Sequence, residues 1–195
     1  MIARRSAVPR VLPTLDGERV RLRPLRHDDA LAICRWLQDP ELSRRLELLE
    51  RPFTLGTARM WVRIAVAGVG DRTGFFFAIA DCRTDDLLGM IALHGVNWHD
   101  RNGEIFYWLA RPFWRSGLTE DALRLLLGFA FRRLRLHRVW ASVVETNRPS
   151  TALLEKAGFS REVVRRDARR RGRAWLDMYT YGLLGEEFAP QRRRV

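Results

Sequence analysis

The chain has 195 residues, a length for which one α/β domain is the default organisation. Its hydrophobic fraction of 47% is ordinary for a globular protein, no stretch is apolar over the length of a bilayer, and residues 1–10 lack a signal-peptide core. Two distant cysteines, Cys34 and Cys82, form neither a disulfide framework nor a metal-ligand pattern. We therefore expect a cytoplasmic protein without a membrane span and without a metal.

The formal net charge of +12 comes from 35 Lys and Arg residues against 23 Asp and Glu residues. Much of the excess lies in both termini and in one internal run, at residues 4–10, 192–194 and 165–173. Terminal tails are usually solvated, which favours a basic protein with charged ends. A polyanionic ligand such as CoA, an acidic substrate or a ribosomal surface also fits this charge.

The N-terminal half predicts a strand, two helices and a group of three strands. In chain order these are a strand at 19–25, a helix that Asp28 or Asp29 caps, a helix that Thr54 caps, and strands at 75–80, 87–96 and 104–110. Alternating polar and apolar residues indicate the first strand, and the two caps supply side-chain oxygens for free helix N–H groups. Gly68 and Gly70 are expected to end the second helix. Residues 41–53 give no clear pattern.

The C-terminal half predicts two helices and three strands. These are a long helix at 118–135, a strand at 139–144, a short helix at 148–157, and strands at 162–166 and 175–183. The arginine-rich segment 167–173 is predicted as the turn between the last two strands. The order indicates one α/β domain of the α+β type, a mixed sheet with helices on both faces. Its expected bounds are 15–185, between tails at 1–14 and 186–195.

A strand that ends before Asn147 is followed by the pattern Asn-x-x-Ser-x-x-Leu-x-x-Lys-x-Gly-Phe over residues 147–159. From the residues alone, Asn147 can cap a helix and present its amide to a ligand, and Gly158 permits a left-handed C-cap. This segment closely resembles the second half of GNAT-type acetyltransferases, and most of all the ribosomal-protein N-terminal acetyltransferases of the RimJ/RimL type. The element order over about residues 15–184 is similar to that fold, and the resemblance implies a mostly antiparallel sheet of about seven strands.

Residues 114–119 precede the long helix. In GNAT proteins the corresponding turn holds the CoA pyrophosphate on backbone N–H groups at a helix N-terminus, where free donors and the helix dipole favour anions. The resemblance thus implies acetyl-CoA as co-substrate, with contacts from Arg115, Ser116, Gly117, Leu118 and Thr119. The turn departs from the family pattern Gln/Arg-x-x-Gly-x-Gly/Ala at Trp114 and Thr119. Arg115 stands where RimJ/RimL-like members often have Gly.

The resemblance also implies where the cofactor arm lies. The pantetheine is expected between the strands 104–110 and 139–144, where it contacts Asn147 and Ser150. Backbone N–H groups of Trp108, Leu109 and Ala110 are expected to pair with it and to stabilise the oxyanion as charge develops. Direct attack by the amine in a ternary complex needs no cysteine nucleophile.

Two side chains are predicted to move protons. Glu104 is a carboxylate in an otherwise apolar strand, where desolvation would raise its pKa, and it is the predicted general base. Ser150 is the predicted general acid toward the thiolate. The structural alternatives are a Glu104 at the solvent end of a hairpin and a Ser150 that only makes a local hydrogen bond. His94 and His99 are further proton carriers to consider.

Three functions stay open from the sequence. The leading one is an acetyl-CoA-dependent N-acetyltransferase that acts on a primary amine, either a ribosomal-protein N-terminus or a small molecule, with a homodimer expected by analogy only. The others are a ribosome- or nucleic-acid-binding module and a catalytically silent acyl-CoA sensor. Nucleic acid is disfavoured because no aromatics are interleaved with the arginines. Residues 38–55 and 167–173 are expected to select the acceptor. The arginines of residues 167–173 would favour an acceptor with a nearby negative charge.

Overall fold

Eight strands and five α-helices follow one another along residues 11–46 and 52–188, which the computed structural model describes. They are β1 (Leu15–Asp16), β2 (Val20–Pro24), α1 (Asp29–Leu37), α2 (Pro40–Arg45), α3 (Leu55–Asp71), β3 (Gly74–Asp81), β4 (Leu87–Asn97), β5 (Asn102–Leu109), α4 (Leu118–Gly128), β6 (Arg138–Val144), α5 (Arg148–Lys156), β7 (Ser160–Arg171) and β8 (Ala174–Leu184). A 3₁₀ turn at Arg111–Phe113 precedes α4, and a π turn at Phe129–Arg133 follows it.

The strands form one sheet in the order β1-β2-β3-β4-β5-β6-β8-β7. Every neighbouring pair is antiparallel except β5 and β6, which are parallel and pair only at Asn102, Gly103 and Glu104. Because the pairing stops at Glu104, β5 and β6 diverge beyond it and leave a gap in the middle of the sheet. The predicted mixed, mostly antiparallel sheet is confirmed, and the two-residue β1 adds an eighth strand.

Helices cover the two faces of the sheet with separate cores. Alternation along each strand sends neighbouring side chains to opposite faces. Phe77 packs with Leu123 and Leu126 of α4, whereas the adjacent Ala78 packs with Ile33 of α1 and Val62 of α3. Each fully buried side chain of this size contributes roughly 1.5–3 kcal/mol to folding. The two cores fix the strands whose divergence creates the central gap.

Helix ends differ from the sequence prediction in three places. The glycines at 68 and 70 do not end α3, which continues to Asp71. The ambiguous segment contains α2, because the Asp39 side chain accepts from the N–H groups of Glu41 and Leu42 at 2.8 and 3.0 Å. Asp28 makes no cap hydrogen bond, and α4 passes into the π turn after residue 128. Residues 47–51 of the ambiguous segment lie outside the described residues.

The arginine-rich segment is a strand rather than a turn. β7 runs to Arg171 and pairs with β8 from Ala174, so that only Gly172 and Arg173 form the turn. The pairing skips residues 166–168, where Asp167 has φ 50° and its N–H donates to an Asp177 carboxylate oxygen at 3.0 Å. Ala and Arg in this segment are good helix formers, but pairing with β8 satisfies its backbone N–H and C=O groups and favours the extended state. All twelve residues of β7 are exposed.

Candidate active site at the divergence of β5 and β6

The gap between β5 and β6 exposes backbone groups of β5. The Ala110 N–H donates to the Leu88 carbonyl of β4 at 2.8 Å, so the predicted contact of this N–H with pantetheine is wrong. Hydrogen bonds alternate along an antiparallel ladder, and the N–H of Trp108 therefore also faces β4. The N–H groups of Tyr107 and Leu109 face the gap instead. The Leu109 carbonyl confirms this direction, because it accepts from the Trp114 indole N–H at 2.7 Å.

A groove of about 410 Å³, here the donor groove, runs from the gap to the start of α4. Its turn places Arg115 and Gly117 in the left-handed region, with φ 59° and 78°, immediately before the helix. Within the described part of the chain, no acceptor pairs with the backbone N–H of residues 115, 116, 117 or 119. Successive free N–H groups at a helix N-terminus form a cradle for an anion. This backbone fits a pyrophosphate.

Two of the predicted turn contacts are engaged elsewhere. The Ser116 hydroxyl donates to the Phe113 carbonyl, and Ser116 Oγ lies 3.5 Å from the Leu118 N–H. The predicted hydroxyl contact of Ser116 with phosphate is therefore replaced by an internal bond that holds the turn. Arg115, Gly117 and Thr119 do line the groove.

Arg19 braces the turn from outside, and nothing in the sequence pattern indicated this role. Its guanidinium donates to the Ser116 and Gly117 carbonyls at 2.7 and 3.2 Å, and to an Asp121 carboxylate oxygen at 2.9 Å. The hydrogen bond with Asp121, together with its charge, raises the pKa of Arg19. Because the Ser116 carbonyl points at Arg19, the Gly117 N–H of the same peptide unit points away from it.

A second set of charges ties α5 to the start of α4. The Lys156 ammonium lies 2.6 Å from a Glu120 carboxylate oxygen, and Arg124 also binds this carboxylate. The hydrogen bond from Lys156 is the largest cause of the lowered pKa of Glu120. Glu120 lines the donor groove, where an unpaired carboxylate would repel phosphate. The two cations compensate that charge and fix the width of the groove.

Tyr107 crosses the gap and contacts α5. Its hydroxyl lies 2.6 Å from Ser150 Oγ, so the predicted general acid is held by a partner from β5. Burial raises the pKa of Tyr107 to about 12, although the hydrogen bond with Ser150 opposes this shift. The phenol is therefore protonated at neutral pH. Tyr107 was not predicted from the sequence as a site residue. The pattern that could have indicated it is that Tyr107 stands between Ile105 and Leu109 at alternate positions of β5, so that the three side chains share one face.

Asn147 is the N-terminal flanking residue of α5, but its side chain makes no cap hydrogen bond. The helix start is held by the Asn147 carbonyl, which accepts from the Ser150 N–H at 3.0 Å. The predicted cap is thus wrong. The amide lines both the donor groove and the larger cavity beside it, and it is available to a ligand there.

A cavity of about 860 Å³, here the acceptor cavity, lies on the other side of the gap. Glu104 lines it at the point where β5 and β6 part, half-buried beside its cross-strand partner His94. Burial is the main cause of the lowered pKa of His94, and the charge of Glu104 opposes it. His94 is therefore neutral at pH 7, whereas the side chain of His99 is 95% exposed and lies outside the cavity.

Arginines dominate the walls of the acceptor cavity. Six of them line it: Arg44, Arg45, Arg148, Arg165, Arg169 and Arg171. The acidic side chains in the same wall are Glu41 and Glu104. Arg45 lies at the boundary with the donor groove, where its guanidinium carbon is 4.3 Å from the Trp114 ring centroid. The cavity is therefore strongly positive.

Two classes of structure are not found in the described ranges. Among residues 11–46 and 52–188, no three His, Cys, Asp or Glu side chains are grouped so as to hold a metal ion. No helix in these ranges is long and apolar enough to cross a membrane.

The divided sheet, the free N–H groups before α4 and the second cavity beside them define an acyltransferase of the GNAT type. Residues 19–160 match the family described as the acetyltransferase (GNAT) domain, and the chain belongs to this family. The predicted GNAT membership and the acyltransferase class are confirmed.

Three similar proteins illustrate this relationship. The uncharacterized N-acetyltransferase p20 of Bacillus licheniformis is 30% identical over 183 residues, which cover 91% of this chain and 99% of that protein. RimJ of Mycobacterium smegmatis, solved in complex with CoA-disulfide, has a TM-score of 0.81 at 23% identity and covers 91% of this chain and 90% of its own. The ribosomal-protein-S5-alanine acetyltransferase of Vibrio fischeri has a TM-score of 0.79 at 18% identity and covers 92% of this chain and 100% of its own. These two structures show the shared fold.

Proposed function

We propose that this protein transfers the acetyl group of acetyl-CoA to a primary amine by direct attack in a ternary complex. One observation carries the proposal: the donor groove and the acceptor cavity meet at Tyr107, Asn147 and Ser150. A cofactor arm and an amine that enter from opposite sides of the sheet would come into contact beside these residues, and Glu41, Arg45 and Leu46 also line both spaces. Such positioning is a main source of catalysis for two-substrate reactions.

The residues that would hold acetyl-CoA follow from the free donors. The N–H groups of Gly117 and Thr119, with the Arg115 guanidinium beside them, would hold the pyrophosphate at the start of α4. The N–H groups of Tyr107 and Leu109 would pair with the pantetheine along β5. Bound acetyl-CoA supplies the thioester that the amine attacks.

Glu104 would accept the proton of the amine. An amine arrives as an ammonium at neutral pH and attacks only after it loses a proton. Glu104 lines the acceptor cavity on the amine's side of the gap, and neutral His94 beside it neither competes as a cation nor neutralises the carboxylate. A positioned base of this kind contributes typically 10²–10⁴-fold.

Ser150 and Tyr107 would return a proton to the leaving thiolate. The Ser150 hydroxyl would donate to the sulfur, and the Tyr107 hydroxyl, 2.6 Å from Ser150 Oγ, would donate to Ser150 in turn. The raised pKa keeps the phenol protonated at neutral pH, so Tyr107 acts as a donor rather than as a base. The pair therefore supports a proton relay of two side chains.

The first test is acetyl-CoA binding followed by turnover. At about a hundred times the Kd, acetyl-CoA should stabilise the fold by roughly 2.7 kcal/mol and raise Tm by about 5–10 °C, with adenosine as the control ligand. Thiol release is then measured over a panel of amines, amino acids and peptides. Ribosomal-protein N-terminal peptides belong on the panel because one structural neighbour is a ribosomal-protein-S5-alanine acetyltransferase. Binding without turnover on the whole panel would refute the proposal in favour of a sensor.

Variants then test the assigned roles. Glu104→Gln should lower kcat by about 100-fold and leave the acetyl-CoA shift intact, whereas Glu186→Gln, at an exposed carboxylate that lines neither the groove nor the cavity, should change neither. Tyr107→Phe should lower kcat less than Ser150→Ala if Tyr107 acts through Ser150. Equal activity of Glu104→Gln and the unaltered protein would remove Glu104 from the mechanism.

A further inference from the structure

The floor of the acceptor cavity is a part of the sheet that no described helix covers. Helices α1 and α3 lie over β2, β3 and β4 on this face, and none of the described helices lies over the same face of β6, β8 and β7. The pairing register places Ser142 and Val144 of β6 next to Met178 of β8 there. This stretch of sheet is the site where an acceptor molecule would lie.

β7 presents a row of arginines along the edge of that floor. Arg165 pairs with Met178, Arg169 with Leu176 and Arg171 with Ala174. Their partners are two residues apart on β8, so the three arginines share one face even though the pairing skips residues 166–168. All three line the acceptor cavity, whereas the intervening Arg166 and Arg170 do not.

Among the described residues, the cavity acids Glu41 and Glu104 form no ion pair with Arg165 or Arg169. Arg165 donates to Ser142 Oγ at 3.2 Å, so that its guanidinium group is held over the floor by a neutral hydroxyl. The nearest acidic side chain of the opposite wall, Glu41, is compensated by Arg111 at 3.0 Å and Arg45 at 3.5 Å. Among the described cavity residues, Glu104 alone is an acid without an ion pair.

Acetyl-CoA does not account for this charge. Its phosphates would lie in the donor groove, which Arg115 lines, and none of the three β7 arginines lines that groove. The positive charge of the row faces the acceptor side of the gap. Arg165 and Arg169 are therefore available there to a second, negatively charged partner.

We propose that the acceptor is an amine that carries phosphate or carboxylate groups, which Arg165 and Arg169 hold while the amine reaches Glu104. This inference rests on the proposed acetyl transfer and names its substrate class. Arginine binds phosphate and carboxylate through paired N–H groups, so either source of negative charge meets the same recognition. A small phosphorylated amine and a peptide with an acidic N-terminal segment are the two sources.

Matched acceptor pairs test the proposal. O-phospho-L-serine is compared with L-serine, and a hexapeptide with Glu and Asp after its free α-amine is compared with its Gln and Asn counterpart, by thiol release with saturating acetyl-CoA. We expect kcat/KM to favour the charged member of at least one pair by about tenfold, or roughly 1.4 kcal/mol, and the pair concerned identifies the source. High salt should reduce this preference.

Two double variants of equal charge provide the control. Arg165→Glu/Arg169→Glu should abolish or invert the preference and retain turnover of the neutral member, whereas Arg166→Glu/Arg170→Glu should keep it. If both double variants lost the preference for the charged acceptor equally, the preference would come from the overall positive charge rather than from these arginines, and the proposal would be overturned. Equal kcat/KM for the charged and the neutral member of both acceptor pairs would also overturn it, including the case in which RNA binds the arginines instead.

The failure of acetyl transfer itself gives a different result. In that case no acceptor of any charge is turned over, and the proposed function falls. Binding of the labelled peptides in the presence of CoA then tests the row alone. Equal affinity for the acidic and the amide peptide would overturn the assignment of the arginines.

Discussion

The donor groove and the acceptor cavity both face anions, but they are built from different groups. The donor groove presents backbone N–H groups at the start of α4, whereas the acceptor cavity presents guanidinium groups of exposed side chains. A backbone N–H donor is positioned by the fold and stays in place when the side chain of that residue changes. A side-chain donor acts over a longer distance but is lost with one substitution. The first arrangement suits a constant co-substrate, and the second suits an acceptor that differs between relatives.

This difference explains why the turn tolerates its departures from the family pattern. Trp114 binds the Leu109 carbonyl through its indole N–H, and Arg19 holds the carbonyls of Ser116 and Gly117. These contacts orient the peptide units whatever side chain stands at position 119. The departures at Trp114 and Thr119 therefore leave the free backbone N–H groups at the start of α4 in place.

The largest effect is expected at Gly117. Gly117 has φ 78°, and a Cβ there would lie 2.7 Å from an Arg19 nitrogen. Gly117→Val should strain the turn and displace its brace, which together should weaken acetyl-CoA binding by roughly 100-fold in a calorimetric titration. Gly128→Ala is the matched control, because a Cβ at this helical position meets no atom within 4 Å. Normal affinity in Gly117→Val would show that the turn does not bind the cofactor.

A smaller effect is expected when the brace alone is removed. Arg19→Ala leaves the backbone conformation allowed but frees the two carbonyls, and we expect a loss of acetyl-CoA affinity of about tenfold. Arg21→Ala is the control two residues further along the chain, because Arg21 pairs with Asp16 and Asp85 rather than with the turn. If both variants lost affinity equally, the effect would come from net charge rather than from the brace.

On the acceptor side, His94 predicts a dependence of stability on pH. Burial lowers its pKa below the ordinary value of 6.5, so between that value and the folded pKa the unfolded chain binds more protons. The free energy of unfolding should therefore fall as the pH drops below about 6.5. His94→Gln should flatten this decline in urea titrations at successive pH values. His99→Gln, at an exposed side chain, should leave the decline unchanged, and equal slopes in all three proteins would exclude His94 as its source.

The fold was largely predictable because its signals are local. Alternation and helical periodicity identified β2, β3, β4, β6 and most of the helices, and the 147–159 pattern placed α5. The last two strands were predicted, but the extension of β7 through residues 167–171 was missed for a physical reason. An arginine-rich segment carries no apolar alternation, and its extension depends on pairing with β8, which local patterns do not record.

The site was only partly predictable. Glu104, Asn147 and Ser150 were identified, and the structure brings all three to the acceptor cavity. Arg19 and Tyr107 were missed because their roles depend on contacts 97 and 43 residues away along the chain. The direction of the Ala110 N–H was mistaken because the register of β5 against β4 decides it, and a one-residue change of register reverses every such group. The roles assigned to these residues stay predictions until binding and turnover are measured.

The smallest effect is expected at Arg115, where two variants separate the contribution of the backbone from that of the side chain. Arg115 has φ 59°, a conformation that costs a residue with a Cβ about 1 kcal/mol relative to Gly. Arg115→Gly and Arg115→Ala remove the same guanidinium, but only the Gly variant relieves this strain. We expect Arg115→Gly to melt about 2–4 °C above Arg115→Ala in the absence of ligand. If the guanidinium contacts the pyrophosphate, both variants should lose acetyl-CoA affinity to the same degree. Should the Gly variant instead bind as well as the unaltered protein while the Ala variant does not, the backbone alone would hold the anion, and the contrast with the acceptor cavity would be complete.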